Sequence, residues 1–222
     1  LAEAGADVVE LGIPFSDPMA DGPTIQRTSQ VALDGGTSID DVFRVLQSFR
    51  TDHETAAVLF TYLNAPWARG VQTFVEEAAS AGADGLLLTD LPLGSDADLE
   101  ARLESGPLDL VRLVAPTTPP DRAARIAARS QGFVYYVSRT GVTGASSELP
   151  PALVEEVGAL KGAASVPIAV GFGVSTPQQG RTLASVADGV VVGSALMDAL
   201  GKGGVEAAVR LAMELMEALK RS

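Results

Sequence analysis

The 222-residue sequence contains no cysteine, a single histidine, His53, and only three lysines, Lys161, Lys202 and Lys220. The missing cysteines exclude disulfides, thiolate metal sites and cysteine nucleophiles together. His53 lies in the polar stretch Thr51-Asp52-His53-Glu54-Thr55 ahead of an apolar run. In a parallel α/β unit this is the end of a strand opposite the active face, so His53 is expected to be solvated and unavailable to a Ser-His-Asp triad or a metal site. The lysines fall in helical or polar segments, none at the carboxyl end of a strand where a Schiff-base lysine would stand. No apolar run approaches the ~20 residues of a membrane span. Sixteen Lys and Arg against 28 Asp and Glu give a net charge of −12. With no basic patch to offset it, that charge argues against nucleic-acid binding. Nothing resembling a signal peptide opens the chain, and a cytoplasmic protein is expected. The opening Leu1-Ala2-Glu3-Ala4-Gly5 reads as a helix already under way.

Hydrophobic residues make up 46% of the chain and are spread evenly among 23 Gly and 13 Pro, as in a globular protein. One transition recurs: a small-residue helical end, an Asp or Gly, then a β-branched or leucine run. Ala4-Gly5-Ala6-Asp7 precedes Val8-Val9-Glu10-Leu11, Ala81-Gly82-Ala83-Asp84 precedes Leu86-Leu87-Leu88-Thr89, and Ala187-Asp188-Gly189 precedes Val190-Val191-Val192. A glycine just past a helix, followed by a buried strand, accounts for the pattern. Further strand-length runs sit at 56–62, 108–115, 133–138 and 166–171, giving seven strands. Helical stretches fall between them, one starting at Ser38 and running through Leu46, the others at about 70–80, 120–130, 151–162, 176–186 and 204–220. Strict alternation implies a parallel sheet. Seven strands plus an opening helical fragment match a (β/α)8 (TIM) barrel whose first strand is missing, forming one domain over 1–222, and the length agrees with the ~250 residues of such barrels. A complete open sheet of seven strands is the alternative.

With histidine, cysteine and lysine removed, proton chemistry falls to carboxylates, tyrosine or water. Glu10, Asp21 and Asp90 stand at or just beyond strand ends. Glu10 shares one side of its strand with Val8, while Val9 and Leu11 take the other. On an interior face its pKa would rise toward the range useful to a general acid or base, although a carboxylate satisfied by bonds or an ion pair accounts for the position equally well. Taken by itself, Asp21 before Gly22-Pro23 reads as a helix N-cap, and Asp90 before Leu91-Pro92 as a turn acid. Gly-rich segments close strands six to eight of the barrel count: Ser138-Arg139-Thr140-Gly141-Val142-Thr143-Gly144, Gly171-Phe172-Gly173-Val174-Ser175 and Gly193-Ser194-Ala195. Loops after the final strands commonly bind phosphate through exposed backbone N–H groups. The segment at 171–176 lacks the third glycine of a dinucleotide fingerprint.

Glu10-Leu11-Gly12-Ile13-Pro14-Phe15-Ser16-Asp17-Pro18-Met19-Ala20-Asp21-Gly22-Pro23-Thr24-Ile25-Gln26 resembles, almost position for position, the signature of the tryptophan synthase α subunit. The later glycine loops follow the family's order and spacing, and the resemblance covers essentially the whole chain. It implies a lyase of tryptophan biosynthesis that cleaves indole-3-glycerol phosphate to indole and glyceraldehyde 3-phosphate. It makes Glu10 the principal acid/base and Asp21 the second catalytic carboxylate, which displaces the N-cap reading, and it adds Tyr135 as an active-site tyrosine. Gly144, Gly173, Gly193 and Ser194 would contact phosphate, and Phe60, Tyr62, Leu87 and Phe172 would line the indole pocket. No cofactor is expected in this chain. The implied partner is a pyridoxal-phosphate-dependent β subunit, in an α2β2 heterotetramer, with Phe15 and Asp17 as contact candidates. The small loop 145–151 is consistent with a lid over the substrate.

A retro-aldol step without lysine or metal requires the substrate to supply its own electron sink. Protonation of indole C3 does so, because the resulting C=N accepts the electrons of the breaking bond. Three rival readings have other consequences: a barrel isomerase or epimerase of sugar phosphates, a stand-alone indole-releasing lyase, and a non-catalytic regulatory subunit. The carboxylate pair disfavours the first and last, while the second shares the same chemistry.

Overall fold

The structure, a computed structural model, describes residues 1–138, 151–171 and 173–220. The chain divides into two compact units, one spanning essentially Ala6–Val111 and the other Arg112–Ser222 together with Leu1 and Glu3–Gly5.

The first unit runs β1 (Val8–Gly12), α1 (Pro23–Asp34), α2 (Ile39–Asp52), β2 (Ala56–Thr61), α3 (Asn64–Arg69), α4 (Val71–Ala81), β3 (Gly85–Leu88) and α5 (Ala97–Glu104) into β4 (Asp109–Val114). Its strands pair in parallel and in sequence order, the first half of β4 lying beside β3. Ser38 and Asp41 cap α2 reciprocally, each side chain taking the other's backbone N–H. Asp96 caps α5 through the Leu99 N–H. One face of the sheet meets the helices: Val9, Leu11, Ala57, Leu59, Leu86, Leu88 and Leu110 pack with Val42, Phe43, Leu46, Phe74, Val75, Ala78, Leu99 and Leu103. The opposite face therefore carries Glu10, Val58, Phe60, Leu87 and Val111, which the register places side by side.

The second unit continues from Arg112 in β4 through α6 (Pro120–Ala128), β5 (Val134–Val137), α7 (Pro151–Ala163), β6 (Ile168–Gly171), α8 (Pro177–Ala184), β7 (Gly189–Val191) and α9 (Ser194–Lys220). Its strands are again parallel and consecutive. Thr176 and Gln179 form a capping box on α8, and Gly180 of that helix lies against Leu215 and Leu219 of α9.

The recurring Gly/Ala-Asp transition carries more than a helix end. Gly82 takes φ +103 past α4, and the following Asp84 accepts the Ala57 N–H at 2.7 Å and pairs with Arg50. Asp188 repeats the device in the second unit, accepting the Ile168 N–H at 2.9 Å and pairing with Lys161 at 2.8 Å. Each aspartate thus ties the start of its strand to an N–H at the start of the strand before, the second of β2 and the first of β6.

Several sequence expectations are corrected. Residues 1–5 do not form the end of a helix; they make turns in which the Ala4 N–H reaches the Leu1 carbonyl, and Gly5 leaves at φ +97. The stretch α9 is two helices that meet at Gly204, whose φ of 70 and ψ of −168 are not helical: the second starts where the sequence placed it, near 204, and the first, from Ser194, was not expected. Helices α3 and α5 were absent from the expected set, and α1 was expected only through the N-cap reading at Asp21. His53 is half-buried rather than solvated, its ring 4.9 Å from that of Phe49. It does precede β2, at the amino end of the strand.

Candidate active site

Glu10 occupies the middle of β1, in register with Val58, and the face it shares with Phe60 and Leu87 is the one turned away from the helices. Leu87 is fully buried and Val58 nearly so. Among the described residues no side chain donates a hydrogen bond to Glu10 and no cation pairs with it. Desolvation acts unopposed and lifts its carboxyl from 4.5 to about 7. A carboxylic acid poised there can both give and take a proton near neutrality.

The chain leaves β1 with the Ile13 N–H bonded to the Phe60 carbonyl at 2.9 Å, which keeps the following loop at the carboxyl end of β2. That loop delivers Asp21. Its carboxylate accepts the Tyr62 hydroxyl at 2.9 Å, and the same hydroxyl accepts the Ala20 N–H at 2.9 Å. Burial raises the Asp21 pKa, with the Tyr62 bond acting in the opposite direction. The Tyr62 phenol is pushed up to about 12, first by burial and then by the carboxylate it faces, so it remains a donor across the physiological range. The N-cap of α1 is Gly22, with no side-chain cap, so Asp21 is free of the capping role its sequence context suggested. Asp90 accepts the Leu63 N–H at 2.6 Å, a bond to the segment after β2 rather than within its own turn.

Phe60 and Leu87 therefore share the face of Glu10, while Asp21 and Tyr62 meet just beyond the carboxyl end of β2. Phe15 stacks on Tyr62, with ring centroids 5.0 Å apart, while Asp17 is exposed and bonded to Ser16. In the second unit, Tyr135 projects from β5 on the face opposite Tyr136, whose hydroxyl goes to Glu156 of α7. The Tyr135 ring lies directly over Gly171: a Cβ built there would stand 2.4 Å from the phenolic oxygen. Gly173 has φ +75, Gly193 has open space around its Cα, and Ser194 starts α9. Gly144 and Phe172 lie outside the described residues. No group of three or more His, Cys, Asp or Glu capable of holding a metal occurs among the described residues, and no described helix is long and apolar enough to cross a membrane. Sequence reasoning placed Tyr62 in a pocket wall but missed its bond to Asp21, for which no local pattern exists.

Comparison with known proteins agrees with this geometry. A family model described as tryptophan synthase alpha chain matches residues 1–221. The tryptophan synthase alpha chain of Geobacter sulfurreducens is 47% identical over 197 residues, covering 89% of this chain and 75% of the relative. That of Novosphingobium aromaticivorans is 46% identical, covering 94% and 79%. Among solved structures, tryptophan synthase subunit alpha from Legionella pneumophila superposes with a TM-score of 0.89 at 35% identity, covering 100% of this chain and 84% of that one. A Mycobacterium tuberculosis tryptophan synthase structure gives 0.89 at 38% identity, covering 98% and 83%. The alternation of parallel strands and helices is that of the (β/α)8 barrel class, as the sequence implied.

Proposed function

The chain belongs to the tryptophan synthase alpha chain family, and from that premise we propose that Glu10 and Asp21 carry its reaction. The protein is a lyase of tryptophan biosynthesis, acting on indole-3-glycerol phosphate to release indole and glyceraldehyde 3-phosphate. The observation that carries the assignment is Glu10: a carboxyl raised to about 7 by burial, with no described partner, on the face that Phe60 and Leu87 share.

The chemistry follows from that carboxyl. Protonated Glu10 gives its proton to indole C3, creating a C2=N bond that is electron-deficient. The now ionised Glu10 takes the proton of the side-chain hydroxyl beside C3. The oxygen electrons form the aldehyde C=O, the carbon–carbon bond breaks, and its electrons pass into C2=N and restore indole. Glu10 ends protonated, as it began. Asp21, ionised and held by Tyr62, accepts the indole N–H and stabilises the positive charge that develops on nitrogen. Tyr135 contributes a hydroxyl toward the substrate, and Gly144, Gly173, Gly193 and Ser194 hold its phosphate, backbone N–H groups at the start of α9 suiting an anion. Phe60, Tyr62 and Leu87 face the indole ring in this reading, and the family resemblance adds Phe172 to them.

The indole passes to a β subunit in an α2β2 assembly, with Phe15 and Asp17 on the loop that meets it. Pyridoxal phosphate belongs to that subunit. The cytoplasm is the compartment in which both would act. The test is indole release from indole-3-glycerol phosphate by the folded chain, with and without a tryptophan synthase β subunit. Release that rises with the partner supports both the chemistry and the subunit role. Equal release with and without it favours a stand-alone lyase, and no release from a folded chain refutes the catalytic assignment.

A further inference from the structure

Tyr62 stands one residue beyond β2 and is 5% exposed, so its hydroxyl must find partners inside the protein. It finds two on a single loop, Asp21 Oδ2 as acceptor and the Ala20 N–H as donor, each at 2.9 Å. Its ring holds the other end of that loop, stacked on Phe15 with an interplanar angle of 26°. Thr89, just past β3, also reaches the hydroxyl. One side chain therefore grips residues 15, 20 and 21 at once.

No cation pairs with Asp21 among the described residues. The other acids nearby along the chain are Glu10 on β1 and Asp17 on the same loop, and Asp90 after β3 is committed to the Leu63 N–H. Gln26 of α1 bonds the Asp21 backbone carbonyl at 2.9 Å and leaves its carboxylate alone. Tyr62 is thus the described group that fixes how the Asp21 carboxylate is turned. With Oδ2 engaged, Oδ1 is the oxygen left to face a ligand.

We infer that Tyr62 is a positioning residue for the lyase reaction, orienting the Asp21 carboxylate through its hydroxyl so that Oδ1 meets the indole N–H. The inference rests on the proposed role of Asp21, and the experiment separates the two. Tyr62→Phe keeps the ring, and with it the stack on Phe15, while removing the hydroxyl's bonds to Asp21, Ala20 and Thr89. In the complex with the β subunit, its kcat/KM is expected to fall about 10- to 100-fold, mainly in kcat, as for a misplaced catalytic group. The acidic limb of its pH profile is expected to move to higher pH, because an ionised carboxylate that loses a donor is easier to protonate. In an Asp21→Asn background, Tyr62→Phe should add less than about a twofold loss, since residues acting through one another are not additive.

Asp21→Asn with wild-type turnover removes the proposed role of Asp21 and the inference with it. An impaired Asp21→Asn beside a Tyr62→Phe of normal rate and unmoved acidic limb overturns the positioning role alone. So does a full multiplicative loss in the double variant. Should Tyr62→Phe fail to fold, 3-fluorotyrosine at position 62 preserves the ring and strengthens the donor. It is then expected to shift the acidic limb to lower pH, and an unmoved limb is again the refuting result.

Discussion

Replacing Glu10 by glutamine sets catalysis against stability, with a sign that follows from the structure. The carboxyl is held at about 7, against 4.5 when unfolded, because burial disfavours its charged form. Between those two values the folded protein binds a proton that the unfolded chain has released. Stability contributed by this group is therefore present below about 4.5 and is lost as pH rises toward 7. The interval of about 2.5 pH units corresponds to roughly 3 kcal/mol, an upper bound because the side chain keeps partial solvent access. Glutamine cannot ionise and escapes that cost. Glu10→Gln is expected to lose about 10²- to 10⁴-fold in kcat/KM for indole release. It should nevertheless resist urea better than the wild type at pH 8, by as much as about 3 kcal/mol, while the two proteins converge near pH 4.5. Urea melts followed by circular dichroism at several pH values measure the difference directly. A gap that stays constant with pH refutes the desolvated carboxyl, and an active variant refutes its catalytic role.

The opposite ends of the strands make contrasting predictions. Gly82→Ala places a Cβ 2.5 Å from Arg50 Cγ on a backbone at φ +103, so a loss of more than about 1 kcal/mol in urea melts is expected. Turnover per folded molecule should remain near normal, because the site lies at the carboxyl ends, and a folded but inactive variant would contradict this. Gly171→Ala displaces the Tyr135 ring from the space it fills. Indole release should fall at least about tenfold, with a destabilisation of about 1–3 kcal/mol in the same melts, and unchanged turnover would remove Tyr135 from the site. Asp96→Ala deletes the cap of α5 and should cost about 1 kcal/mol with kinetics unaltered.

What the sequence displayed, and what it concealed, divides along the range of the interactions. Parallel strands are covered on both faces, so β2 and β3 appear as nearly unbroken apolar runs, and the capping residues of α2 announce its start. Helices α3 and α5 escaped detection because six and eight residues carry too few turns to establish a period, and α3 contains Pro66. The first part of α9 was hidden by Gly201 and Gly203, which weaken a helical pattern, and Gly204 ends it after a short run. The Ala-Gly-Ala-Asp motif was visible as a boundary, yet the role of its aspartate depends on Arg50, 34 residues earlier. The same holds at the site. Alternation set Glu10 opposite Val9 and Leu11, but only the packing of α2, α4 and α5 determines which of these faces is apolar. Asp21 and Tyr62 are 41 residues apart, and they meet because β1 and β2 run parallel in a register that ends both at one level. Chemistry that requires a carboxylate with a fixed orientation is therefore written in strand register, and a motif of adjacent residues can name the carboxylate without showing what holds it.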